Sequence, residues 1–231
     1  MARVDYLVEL RRELDEFGAL LNGDLTASVE HCGDWTLTDL ARHMGAGNLW
    51  VVAAVREKRG DRYDEDAAPA DPAALRAWYA QSADALVEAL SADPDTEAWT
   101  FFPPHTVGFW RRRRAQETLV HRWDAAHALG APRPLDPELA ADGVAEVFEV
   151  MAGRMVTRGA ATAPERAVRL TATDLGRSWT YGPGEPVAEV SGTAEDLLLT
   201  LWGRKPRDTG ELHWSGDRAA GLAVLAGPLV P

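Results

Sequence analysis

Glu117-Thr118-Leu119-Val120-His121-Arg122-Trp123-Asp124-Ala125 (residues 117–125) lies midway along a stretch, Phe109 to Leu129, that reads as one long helix ending at Gly130, with Pro132 just beyond. Positions four apart on an α-helix lie one turn apart on nearly the same face, so the Glu117 carboxylate and the His121 imidazole can reach a common point. Bundles build metal sites from such inward-facing side chains on neighbouring helices. His43, on a second predicted helix, can complete a set of two nitrogens and one oxygen, which suits Zn²⁺ with a fourth position left for water or substrate. By spacing alone, a Glu-x-x-x-His pair serves equally as an ion pair on a solvated face. A lone histidine such as His43 is likewise more often a satisfied core residue than a ligand.

Working outward, Leu7, Leu10, Leu14, Phe17 and Leu21 recur at spacings of three and four, which predicts an amphipathic helix from Asp5 to Leu21 stopped by Gly23. Thr36 followed by Asp39 has the form of a capping box, and Leu37, Leu40, Met44 and Trp50 supply the apolar stripe of a second helix that contains His43. Gly60 to Asp71, rich in Asp, Ala and Pro, reads as an exposed connection, and a third helix is predicted from Pro72 to Leu90. The ligand helix is the fourth, after a Pro-containing loop from Phe101 to Gly108, and a fifth runs from Pro137 to about Thr157.

The pattern then changes. Ala167 to Thr173 and Ser178 to Tyr181 read as strands joined by Asp174-Leu175-Gly176-Arg177, with a further strand at Val187 to Val190. Ser191 or Thr193 caps a helix through about Trp202, and Leu212 to Trp214 followed by Asp217 to Leu225 reads as strand then helix. The expected class is α+β: a helical bundle over residues 1–158 and a smaller α/β domain over 159–231, the boundary placed in the Gly159-to-Pro164 loop.

Two segments carry a family resemblance. Trp35-Thr36-Leu37-Thr38-Asp39-Leu40-Ala41-Arg42-His43-Met44 and Glu117 to Ala125 resemble the two signature segments of the mycothiol-dependent maleylpyruvate isomerase family, a group of DinB-like metal-binding four-helix bundles. Val190-Ser191-Gly192-Thr193-Ala194-Glu195-Asp196-Leu197-Leu198-Leu199, with Leu201-Trp202-Gly203-Arg204, resembles the family's smaller C-terminal, SCP2-like α/β domain, so the likeness covers nearly the whole chain. It implies that His43, Glu117 and His121 are zinc ligands, and that an arginine of the second domain, for which Arg204 is the best match, serves at the active site.

The implied chemistry uses mycothiol as co-substrate. A zinc with an open position can bind an external thiol, lower its pKa and keep it nucleophilic at neutral pH. Addition to the cis double bond of maleylpyruvate, rotation and elimination would return the trans isomer, fumarylpyruvate, and regenerate the thiol. The two substrate carboxylates and the developing enolate call for cations, which Arg204 or Arg42 could supply. Related enzymes instead transfer the thiol permanently, and fold and metal do not separate the two outcomes.

Other residues carry less. Cys32 beside His31 has the look of a nucleophile with its base, yet side chains adjacent in sequence usually point apart, and the structural reading is preferred. His127, six residues after His121, points away from the ligand face. His105 lies in the loop before the ligand helix. Arg111 to Arg114 wraps around that helix and reads as a solvated face, although Arg114, three before Glu117, can approach the site. Asp124, three after His121, can accept from it. Of the tryptophans near the site in sequence, Trp35, Trp50, Trp110, Trp123 and Trp202, most read as core, although spacing does not distinguish a pocket wall from ordinary packing.

Composition bounds the rest. The 231 residues, 46% hydrophobic, suffice for a substantial core. A net charge of −12 and one short basic run argue against nucleic acid. Arg3, Asp5 and Glu9 interrupt the first ten residues, unlike a secretory signal, and no stretch approaches the ~20 apolar residues of a membrane span. A single cysteine fits a reducing compartment, and the expected location is the cytoplasm. Basic residues are nearly all Arg, with Lys only at Lys58 and Lys205, as in a GC-rich bacterial genome. The competing reading is a non-catalytic protein of the same superfamily that binds a metal and a small ligand. A zinc sensor of a sigma-factor pathway would need the thiol-rich site that this chain lacks.

Overall fold

The computed structural model describes residues 4–61, 67–208 and 210–231. The expected connection from Gly60 to Asp71 falls partly, at 62–66, outside the described residues, as does Arg3. The chain divides into two compact units between Pro134 and Leu135.

The first unit is a four-helix bundle: α1 (Tyr6–Leu20), α2 (Leu37–Arg56), α3 (Pro72–Leu90) and α4 (Val107–Ala128). Local signals start each of the first three. Asp5 accepts from the amides of Leu7 and Val8, Thr36 and Asp39 close a reciprocal capping box, and Asp71 accepts from Ala74 with Pro72 in the first turn. α4 starts two residues before the expected Phe109, and Gly130 follows it at φ +64°, the left-handed turn that glycine accommodates. α1 packs chiefly on α4 and α2 on α3. Gly45 permits the second pairing, because a Cβ there would collide with the Trp78 ring.

Of the four bundle helices, the one that reads as least apolar is the most enclosed. Sixteen of the residues of α4 are buried, among them Arg113, Arg114, Gln116, Thr118, His121, Arg122 and Asp124. Arg122 donates to Glu13 of α1 at 2.8 Å, with both side chains no more than 2% exposed, and also to the carbonyls of Arg133 and Pro134. The expected solvated face at Arg111 to Arg114 is therefore corrected: Arg113 and Arg114 are interior, and Arg111 caps the carbonyls of Leu90 and Ala92. Periodicity misses this because Arg114 and Arg122 are also satisfied by Asn48 and Glu13 on other helices.

The second unit comprises α5 (Pro137–Glu146), a π-helical turn (Val147–Met151), α6 (Ala152–Thr157), a four-stranded sheet, α7 (Ala194–Leu201) and α8 (Arg218–Val224). The strands are β1 (Ala167–Ala172), β2 (Arg177–Tyr181), β3 (Pro186–Gly192) and β4 (His213–Gly216), in the order β2-β1-β3-β4. β1 pairs antiparallel with β2 and parallel with β3, which pairs antiparallel with β4. Val168, Leu170, Ala188 and Val190 bury the central strands. Thr193 caps α7, so of the two proposed caps it is the one used. The class is α+β as expected, but the division falls at Pro134/Leu135 rather than near residue 160. α5 packs on α7, a helix of the C-terminal half, and so belongs with it.

Candidate metal centre

His43 is held in the second turn of α2, behind the Thr36 capping box that fixes how the helix begins. Glu117 and His121 face it from the middle of α4. His43 Nε2 lies 3.6 Å from Glu117 Oε1, and the two imidazoles meet edge to face with centroids 5.5 Å apart. One ligand atom from each of the three residues falls within 4.8 Å of the others, so the trio predicted from sequence is brought together. The His43 and Glu117 side chains keep 21% and 23% exposure and His121 9%, which leaves the constellation open on one side.

Each group is braced. Asp124 Oδ2 lies 3.0 Å from His121 Nδ1, and its side chain has no exposed surface. A carboxylate only accepts, so the proton sits on Nδ1 and the lone pair of Nε2 is presented elsewhere. Burial depresses the His121 pKa, with Asp124 pulling the other way. Arg114 Nη1 lies 3.1 Å from Glu117 Oε2, and Arg113 Nε 3.8 Å. Burial opposes ionisation of Glu117, yet Arg114, then His43 and Arg113, outweigh it and hold the carboxyl well below the usual range. Arg114 is itself anchored: Nη2 donates to Asn48 Oδ1 at 2.7 Å, and Asn48 donates to Ser82 at 3.1 Å, all of it buried.

The remaining candidates each have partners of their own. Trp35 tilts against His43 at 5.0 Å. Arg42 is engaged with Asp39 at 3.8 Å, at the start of its own helix. His105 is tied to Thr100 at 2.7 Å. Arg204 belongs to the second unit, where Nη1 donates to the Trp202 carbonyl and the guanidinium lies 5.6 Å from the Trp202 ring. His31 stacks on Trp123. Cys32 Sγ lies 3.7 Å from Asp124 Oδ2, which brings the lone thiol to the carboxylate that orients His121. That proximity spans 92 residues and leaves no signal in the linear sequence.

An imidazole with its Nδ1 turned to Asp124, a second imidazole, a carboxylate and one open side together form a donor set suited to a divalent transition metal with an exchangeable position.

Known proteins share this architecture. The family model of the mycothiol maleylpyruvate isomerase N-terminal domain matches residues 7–126, and that of the C-terminal domain matches 138–223. An uncharacterized protein of Mycobacterium tuberculosis is 26% identical over 242 residues, covering 96% of this chain and 93% of its own length. A second from the same organism is 31% identical over 152 residues, 62% of this chain and 77% of its own. Among solved structures, the mycothiol-dependent maleylpyruvate isomerase superimposes with a TM-score of 0.66 at 15% identity, covering 91% of this chain and 92% of that one. A histidine-to-alanine mutant of that enzyme gives 0.64 at 16%, with the same coverage.

Proposed function

Since the chain belongs to the mycothiol maleylpyruvate isomerase family, we propose that it is a zinc-dependent enzyme that uses a low-molecular-weight thiol, mycothiol, to isomerise or thiolate a small electrophile. The observation that carries this reading is the convergence of His43, Glu117 and His121 with Asp124 behind His121. These residues fit the metal in ligand type and protonation state and leave a position for the thiol. The metal, when bound, supplies a Lewis-acid centre that lowers the pKa of a coordinated thiol.

The chain's own groups do the rest. His43, Glu117 and His121 fix the site, Asp124 keeps the His121 proton on Nδ1, and Arg114 keeps Glu117 ionised. In the isomerase reading, the thiol sulfur adds to one carbon of a cis double bond, the single bond so formed between the two carbons rotates, and elimination restores the thiol and a trans double bond. In the transferase reading the carbon–sulfur bond is kept. Arg204 is assigned to the substrate carboxylate, whose charge it would balance. The protein is placed in the cytoplasm, where a thiol co-substrate stays reduced; among the described residues no helix is long and apolar enough to cross a membrane.

Tag-free protein should contain at least one zinc per chain, and Glu117→Ala should lose the ion held by His43, Glu117 and His121. Cobalt-substituted protein titrated with mycothiol should develop a sulfur-to-metal charge-transfer band, and the loaded enzyme should convert maleylpyruvate or thiolate a related electrophile. Absence of metal from the wild type, with Glu117→Ala indistinguishable from it, overturns the proposal. Metal and thiol binding without turnover of any such compound would leave a ligand-binding protein in its place.

A further inference from the structure

We propose that Glu30, His31 and His127 form a second divalent-cation site, on the surface of the first unit and separate from the His43, Glu117 and His121 constellation. One ligand atom from each lies within 4.8 Å of the other two. His127 Nε2 is 3.2 Å from Glu30 Oε2, and these side chains are 41% and 69% exposed, so an ion reaches them directly from solvent.

The two imidazoles are held before any ion arrives. The His127 ring lies on Trp123 with centroids 4.8 Å apart and planes within 8° of parallel, and His31 stacks on the same indole at 5.8 Å and 29°. The two histidine rings are 5.9 Å apart. Rings already packed against a buried indole lose little freedom on coordinating a metal, which lowers the ordering cost of binding. The setting also favours a cation: His127 is in the last turn of a 22-residue helix, at the negative end of the helix dipole, and the chain bears a net charge of −12. Two imidazoles and a carboxylate select zinc, copper or nickel over magnesium or calcium, which prefer all-oxygen sites.

The site would also be a staple. Glu30 and His31 come from the segment between α1 and α2, and His127 from α4, so a bound ion joins that segment to the helix. The same segment carries Cys32 and Trp35, which reach Asp124 and His43, so the staple would restrain the loop that borders the metal centre.

The test is zinc stoichiometry by equilibrium dialysis on untagged full-length protein. Wild type should hold two ions per chain, Glu117→Ala one, His127→Ala one, and the double variant none. In the Glu117→Ala background, copper(II) should give an electron paramagnetic resonance spectrum with two coordinated imidazole nitrogens, lost in His127→Ala and in His31→Ala. His127→Gln, with the ring replaced by a polar side chain, should repeat the loss if His127→Ala disturbs the fold. Failure of Glu117→Ala to bind any ion, or equal stoichiometry in wild type and His127→Ala, would overturn the second site whatever the fate of the catalytic proposal.

Discussion

Removing the Asp124 carboxylate should weaken metal binding about 10- to 100-fold, without any change to a ligand. Its Oδ2 is 3.0 Å from His121 Nδ1 and fully enclosed, so the hydrogen bond it accepts is charge-assisted and unscreened by water. Two effects are lost with it. The imidazole can turn or shift its proton to Nε2, the nitrogen needed for coordination, and it becomes a poorer donor. Together they correspond to about 1.4–2.7 kcal/mol. Asp124→Asn keeps a carbonyl oxygen in place and should fall at the lower end, while Asp124→Ala should reach the upper.

Competition with a chromophoric zinc chelator at fixed pH measures the affinity, and circular dichroism checks that the bundle is intact. The decisive control is a double-mutant cycle. Because Asp124 acts through His121, Asp124→Ala should cost little further affinity once His121 is alanine. An equal loss in both backgrounds would refute the reasoning and assign Asp124 a role independent of that ring, for example through Cys32, 3.7 Å away.

Glu13→Ala should destabilise the first unit by about 3 kcal/mol in urea denaturation, because it removes the buried partner of the Arg122 guanidinium, 2% exposed, and leaves only the more exposed Glu16 at 3.6 Å; a loss under ~1 kcal/mol would contradict this. Thr36→Ala should cost about 1 kcal/mol and increase amide exchange in the first turn of α2, ahead of His43. The pair Lys205 and Asp196, 2.6 Å apart, sets a pH window for the second unit. Burial opposes ionisation of Asp196, but the hydrogen bonds from Lys205 and Thr193 prevail and lower its pKa, so its contribution is present above the ordinary aspartate range and lost as pH falls through the depressed value. Burial likewise opposes the charge on Lys205, but Asp196 and Glu211 raise its pKa, so that contribution is present below the ordinary lysine value and lost as pH rises through the raised one. Lys205→Met should flatten both limbs of the stability–pH profile, measured by urea midpoints across pH.

What was legible in the sequence was local. Asp5, Thr36 with Asp39, Pro72, Gly130 and Thr193 each act within a turn of the backbone they terminate, and the elements they delimit lie close to where those residues place them. Glu117 and His121 were legible for the same reason, being one helical turn apart. The unread features depend on partners far along the chain: Arg122 on Glu13, Arg114 on Asn48, Cys32 on Asp124. The domain boundary belongs with these. α5 is indistinguishable from a fifth bundle helix until α7, the surface it packs on, is known.

The same long-range contacts explain why so polar a helix occupies the middle of the bundle. Burying Arg113, Arg114 and Asp124 beside the half-buried Glu117 confers little stability, since well-packed apolar residues commonly do as well or better. What the charges achieve is a carboxylate kept ionised and an imidazole kept in one tautomer, both in an environment that would otherwise neutralise the first and free the second. They also set the charge balance of the site. Two guanidiniums already answer Glu117 and its surroundings, so a dication bound there would leave positive charge in excess. An enclosed site with that imbalance favours an anion at the open position over neutral water. A thiol held as its thiolate, and then a carboxylate-bearing electrophile, are the ligands that such a field would stabilise most.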